Sequence, residues 1–152
     1  NFETALQKDN LLVQMFPTPN IYSFPSMLDY VKYFSNKLRE YGKFIPEGEQ
    51  IDDRQYTLFS YNMVQEAPLS PASMPAHYKS MLDPAIEYCN NNQMTYFARH
   101  LMQIQNLIGT QIDDSTATKI ENKFNYFKLV RPGYDWDGLF PHVNDIIKEL
   151  KC

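Results

Sequence analysis

Three stretches of the chain place an apolar side chain at every third or fourth position, and that spacing commits them to helices. Met27, Val31, Phe34, Leu38 and Tyr41 make the first and run into Gly42. Phe97, Leu101, Ile104 and Ile108 make the second and run into Gly109, while Ile120, Phe124 and Phe127 make the third and end before Pro132. A helix turns through about 3.6 residues, so these positions line one side of it and need something to bury against. Glycine tolerates the left-handed backbone that ends a helix, and proline lacks the amide that would continue one. The expected fold is all-α: an irregular bundle or short superhelix of about six to seven helices, with no significant β-sheet.

The same reading extends to the rest of the chain. Phe2 to Phe16 is expected to be helical, stopped by Pro17 and Pro19. Ser26, with Asp29 three residues on, is placed to cap the helix that runs to Tyr41. Asp52 and Asp53 open a helix through Gln65, with Tyr56, Phe59 and Met63 as its buried face. Pro68, Pro71, Pro75 and Pro84 forbid a continuous helix, so Ala67 to Ser73 is an ordered loop. Met74 to Tyr88 forms two short helices broken near Asp83 and Pro84. Further helices are expected from Gln93 to Ile108, Ser115 to Leu129 and Pro141 to Leu150, with Arg131 to Phe140 as a turn. Asp113, Asp114 and Ser115 supply capping oxygens, and Pro141 sits where its missing amide costs nothing. No self-similar period emerges, which argues against a regular repeat solenoid.

A chain of 152 residues fits one domain, residues 1–152. Its start at Asn1 reads as a domain excised from a longer or processed protein. The 43% apolar and 21% charged residues are those of a globular soluble protein, and no apolar run approaches the roughly 18 residues that a spanning helix needs. A net charge of −4 argues against a general binder of nucleic acid or anionic membrane, both of which draw basic surfaces. Cys89 and Cys152 are the only cysteines and make no disulfide framework. The absence of an Asn-X-Ser/Thr sequon fits an intracellular home, cytoplasmic or nuclear.

Chemistry-bearing residues do not converge. Cys89 and His100 could approach across a turn, and together they are the only enzyme reading, that of a fragment with a cysteine nucleophile. The alternative for Cys89 is a small apolar core residue. His77, His100 and His142 are isolated, so no metal site is expected. Asp135, Trp136, Asp137 and Gly138 resemble part of a calcium loop, but the register then requires carboxylates at Gly133 and Asn144. Asp137 is better read as a helix cap or turn former. The five glycines form neither phosphate-cradling motif, and no cofactor is expected.

What remains is surface. Eleven Tyr and ten Phe stand against a single Trp, and tyrosine suits half-buried positions and interfaces. Lys119 and Lys123 share a helix face, and Lys128 with Arg131 continues a positive run that could dock an acidic or phosphorylated segment. Trp136, beside Tyr134, is a candidate anchor either on the core or at an interface. Tyr30 and Tyr33, interleaved with Lys32, Lys37 and Arg39, make a second mixed surface, with base stacking as its weaker reading.

These residues support a helical interaction or scaffold domain of a larger intracellular protein or assembly. It would dock another protein or peptide through Trp136, Tyr134, Lys119, Lys123, Lys128 and Arg131. The alternatives are a self-assembling or nucleic-acid-associated domain of coat or nucleoprotein type, which admits a homo-oligomer, and the Cys89/His100 enzyme fragment.

Overall fold

Gly42 and Gly109 both adopt the left-handed backbone, at φ of 65° and 82°, and each ends a helix where its apolar ladder ends. A computed structural model of the chain describes residues 2–8, 12–46, 50–51, 54–55, 59, 62, 64, 66 and 68–152, and every structural statement below concerns those residues. Among them are seven α-helices: α1 (Phe2–Leu6), α2 (Met27–Glu40), α3 (Asp83–Asn91), α4 (Thr95–Leu107), α5 (Thr116–Val130), α6 (Trp136–Leu139) and α7 (Pro141–Leu150). Three 3-10 segments, Phe24–Ser26, Pro71–Ser73 and Ala76–Leu82, carry the proline-dense stretches. The architecture is an all-α bundle. Its only extended pairing is a minimal antiparallel hairpin of β1 (Gln50–Ile51) and β2 (Arg54–Gln55), plus one isolated bridge between Met15 and Phe59.

The ladders bury as their spacing requires. Val31 and Leu38 on α2, Phe97, Leu101 and Ile104 on α4, and Ile120 on α5 have no exposed surface. The helix α3 packs between α2 and α4, and α7 packs on both α5 and α6. At the centre the Phe59 and Phe97 rings stack 5.0 Å apart. Ser35 is buried on α2, and its hydroxyl lies 3.1 Å from that of Tyr88 on α3, so the two helices share a polar link as well as an apolar one. Gly109 is also closely approached: a Cβ there would sit 3.3 Å from that of Ala76, tighter than ordinary contact.

Two expected helices are corrected. The first ends at Leu6, and residues 12–20 are not helical. Val13 and Met15 pack on the core while Leu12 and Phe16 are exposed, an alternation with the period of an extended chain. The helix from Asp52 to Gln65 is contradicted wherever that segment is described, because Arg54–Gln55 form β2 and Phe59 bridges to Met15. Phe59 is buried as expected, but from extended backbone. Asp52, Asp53, Tyr56, Met63 and Gln65 lie outside the described residues. Ser26 makes no side-chain cap, since a 3-10 turn leads directly into α2. The ordering oxygen is instead that of Asn20, whose Oδ1 accepts the amides of Tyr22 and Ser23. Arg131 to Phe140 contains the one-turn helix α6 rather than a bare turn.

Capping at α5 falls to Asp113 alone of the three oxygens expected, since the Ser115 hydroxyl donates rather than caps and no bond of the Asp114 side chain occurs among the described residues. The Asp113 carboxylate accepts from the Ser115 amide at 2.8 Å, the Ser115 hydroxyl at 2.6 Å and the Thr116 hydroxyl at 3.1 Å. The Asp113 amide in turn donates to Thr116 Oγ1 at 2.8 Å. These bonds favour the charged carboxylate and pull its pKa from 3.8 down to about 2. The folded value lies below the unfolded one, so the cap contributes stability above about pH 4 that is lost as pH falls through about 2. Asp113→Asn, which keeps an acceptor but cannot titrate, should flatten the loss of stability between those pH values in urea titrations. Parallel wild-type and variant curves would show that the cap does not couple to folding.

Candidate functional site

The α5 helix carries two apolar faces, and only one is covered by the fold. Thr116, Ala117, Ile120 and Phe124 are buried. On the opposite side Lys119, Asn122, Lys123, Tyr126, Leu129 and Val130 follow one another at intervals that return to one face of a helix. The first half of this stripe is basic and the second half is apolar.

The short helix α6 exists because Asp135 Oδ1 accepts the Gly138 amide at 3.0 Å. A side chain at Gly138 would meet that same carboxylate, so Asp135 would have to shift to accommodate one. Its first residue, Trp136, lies nearly parallel to Phe127 of α5, with ring centres 5.6 Å apart. Phe140 stands 5.5 Å from Trp136, and Phe124 meets it edge-on at 6.4 Å. Tyr22, from the segment before α2, meets Phe124, Phe127 and Phe140 at 5.9, 5.6 and 5.2 Å. The indole N–H donates to the Arg131 carbonyl at 3.1 Å. Trp136 is thus half-buried inside a five-ring cluster that joins the N-terminal segment to the last three helices. His142 reinforces the junction by donating from Nε2 to the Ile21 carbonyl at 2.7 Å, and burial holds its pKa below the usual histidine value.

Outside this cluster lies a shelf of large apolar side chains with no cover. Leu129 is 77% exposed, Tyr134 61%, Leu139 57%, Tyr126 54% and Val130 48%. Two of them touch the ring cluster at its edge: Tyr126 lies 6.1 Å from Phe127 and Tyr134 lies 6.3 Å from Trp136. Exposed apolar residues scattered singly need no explanation, but half of the large exposed ones among the described residues fall between 126 and 139. The basic end of the stripe opens into a groove of about 440 Å³ lined by Pro68, Lys119, Asn122, Lys123 and Tyr126.

Each lysine expected to form a positive run has a carboxylate partner. Lys119 pairs with Asp113 at 3.4 Å, Lys123 with Glu66 at 3.1 Å, and Lys128 with Asp137 at 2.6 Å. Lys123 and Lys128 also stand over the Phe127 and Phe124 rings, at 5.6 and 4.5 Å. Asp137 accepts from Asn144 as well, and together with Lys128 this holds its pKa below the usual carboxylate range. Asp137 is therefore an ion-pair partner, while Asp135 supplies the cap. Arg131 is exposed and makes no ion pair among the described residues. Of the six residues expected to bind a partner, Tyr134, Trp136 and Arg131 meet in one turn, Lys128 reaches Asp137 beside them, and Lys119 and Lys123 line the groove. The sequence reading missed Tyr126, Leu129, Val130 and Leu139. The available signal was the second apolar set on α5, in register with the lysines rather than with the Ile120 ladder.

Other candidates are less organised. Cys89 has no exposed surface and packs in the apolar core, and the His100 ring meets Gln103 Oε1 at 3.4 Å. No group of three or more potential metal ligands occurs among the described residues, and no described helix is long and apolar enough to cross a membrane. On α2, Tyr30 is drawn inward against Phe34 and Phe59, Lys37 pairs with Glu40 and Glu3, and Arg39 lies over Phe44 at 3.6 Å. A groove of about 530 Å³ between α3 and α4 is lined by Asp83, Glu87, Asn90 and Met102, with Gln105 donating to Asp83 across it. No family model, curated protein or solved structure matches the chain.

The ring cluster sorts two substitutions by sign. Trp136→Ala removes a packed indole and should cost about 3 kcal/mol in urea unfolding. The Tyr22 hydroxyl is buried without a hydrogen-bond partner among the described residues, and desolvation raises its pKa. Tyr22→Phe should therefore stabilise the fold by about 1 kcal/mol. A destabilised Tyr22→Phe would mean that the hydroxyl is bonded after all.

Proposed function

We propose that this chain is a helical protein-interaction module of a larger intracellular protein or assembly, and that it docks its partner on the shelf formed by the end of α5, the following turn and α6. The observation that carries the reading is the set of five exposed apolar side chains, Tyr126, Leu129, Val130, Tyr134 and Leu139, which fall within one stretch of chain that also supplies a packed ring cluster. A rigid base matters because side chains already held in place lose little freedom when a partner covers them. Burying apolar surface contributes about 25 cal/mol per Å², and interface aromatics flanked by arginine are the usual anchors. Leu129 and Tyr134 are the anchors in this reading, and Trp136 supports Tyr134.

The finer version, an acidic or phosphorylated partner segment, is weakened by the ion pairs. Such a segment would compete with Asp113, Glu66 and Asp137 for the three lysines. Exposed pairs contribute only about 0–1 kcal/mol each, so exchange is affordable, but it adds little net attraction. Apolar burial is the main source of affinity, and charge sets orientation.

Leu129→Asp tests the reading without disturbing the core, because the side chain is three-quarters exposed. Wild-type and variant chains, each immobilised and incubated with native extract, should capture different proteins, with the variant losing at least one specific band. Circular dichroism should show the same helix content for both. Identical captured sets from two folded chains would refute the shelf as a docking surface.

A further inference from the structure

We propose that His142 is a proton-sensitive latch: when its ring takes up a proton, residues 20–24 loosen from the C-terminal ring cluster. The latch is a hydrogen bond between distant parts of the chain. His142 is the second residue of α7, and its Nε2 lies 2.7 Å from the Ile21 carbonyl, 121 positions earlier. A carbonyl oxygen only accepts, so Nε2 carries the hydrogen and the neutral ring leaves Nδ1 bare. The Phe140 ring stands 6.3 Å from the imidazole. Tyr22 follows Ile21 directly and meets that same Phe140 edge-on at 5.2 Å. Histidine, carbonyl and the two rings therefore form one junction.

A positive charge at this junction would be poorly answered. The ring is half-buried in the first turn of α7, where the free helix amides already carry partial positive charge. Residues 17–26 supply the accepting carbonyl, and residues 68–76 hold the Ile21 amide through the Leu69 carbonyl; neither segment contains a charged side chain. The charges on the surrounding elements are committed elsewhere. On α5, Lys119 pairs with Asp113, Glu121 with Lys151, Lys123 with Glu66, and Lys128 with Asp137 of α6. In the Ala76–Leu82 segment, His77 pairs with Glu149 at the far end of α7. Asp145, three residues along α7, is the one carboxylate among the described residues whose field reaches the ring. Burial outweighs its help and that of the Ile21 carbonyl, so the ring stays neutral further into acid than a free histidine. The folded pKa lies below the unfolded value of about 6.5, so the neutral ring contributes stability above that pH, and the contribution is lost as pH falls through the folded value. A charged ring also gains an Nδ1 hydrogen with no bonded acceptor among the described residues. Turning to water satisfies both, and the bond to Ile21 is what the ring then gives up.

Trp136 is the only tryptophan and lies 5.5 Å from Phe140, so its fluorescence reports on the junction. Between about pH 8 and about pH 5 the wild-type emission should change in one reversible step with its midpoint below about 6.5. His142→Gln keeps an N–H for the Ile21 carbonyl but cannot become charged, and should abolish the step, while His77→Gln and His100→Gln should retain it. Asp145 is exposed, and Asp145→Asn should move the step to lower pH; that variant decides if circular dichroism shows His142→Gln to be unfolded. Opening is read separately from hydrogen exchange at the Ile21, Tyr22 and Phe24 amides, comparing wild type with His142→Gln at the same pH so that intrinsic rates cancel. Exchange should be faster in the wild type at the acid end and equal at the alkaline end. The inference is overturned by a wild type without a step, by a step that survives in folded His142→Gln or is unmoved by Asp145→Asn, or by exchange that is equal at both ends.

Discussion

Trp136 stacked on Phe127 is the contact through which the C-terminal third of the molecule is organised. The indole sits on a one-turn helix too short to hold itself, and what fixes it is the ring below, the Arg131 carbonyl that takes its N–H, and the Asp135 cap on the Gly138 amide. Tyr22 closes the cluster from the other end of the chain, and the His142 bond to Ile21 anchors the same segment. The first and last parts of the chain therefore meet over one set of aromatic faces. Because those faces are used inward, the next apolar residues along α5 and α6 have nothing left to cover them.

That sequence of commitments explains why the surface is built as it is. The polar stripe that begins with Lys119 would make an ordinary solvated helix face, and its lysines behave as one, each paired with a nearby carboxylate. Beyond Tyr126 the same face turns apolar while remaining exposed. A helix needs one apolar side to fold, and α5 has two. The second contributes nothing to the interior described here, which is why the proposed docking surface is placed on it.

Much of the fold could be read from spacing alone. The helices α2, α4, α5 and α7 begin and end within about two residues of expectation, because their ladders run in phase and a glycine, proline or capping aspartate marks all their limits but the start of α4 and the end of α7. The segment from Phe2 to Phe16 misled because Leu12, Val13 and Phe16 fit a helix loosely, whereas Val13 and Met15 alternate with exposed neighbours as a strand does. Phe59 was correctly expected in the core, yet its bridge to Met15 joins positions far apart in sequence, and periodicity carries no such information. The site was legible in part for the same reason. Tyr134 and Trp136 stand out by residue type, but nothing in one-dimensional spacing says which apolar face of α5 the remaining helices will cover, and so Leu129 and Val130 were passed over. Nor can spacing reveal that Glu66 reaches Lys123 across 57 positions.

The central claim is that the shelf is surplus to folding while the rings beneath it are not. It is tested most directly by replacing the whole shelf at once, with Tyr126→Gln, Leu129→Gln, Val130→Gln, Tyr134→Ser and Leu139→Gln in one chain, and measuring its urea unfolding. The account predicts a single cooperative transition whose slope matches the wild type and whose free energy lies within about 1 kcal/mol of it, since exposed positions carry little stability. A broad or multi-step transition, or a loss of several kcal/mol, would contradict it by showing that these side chains belong to the core.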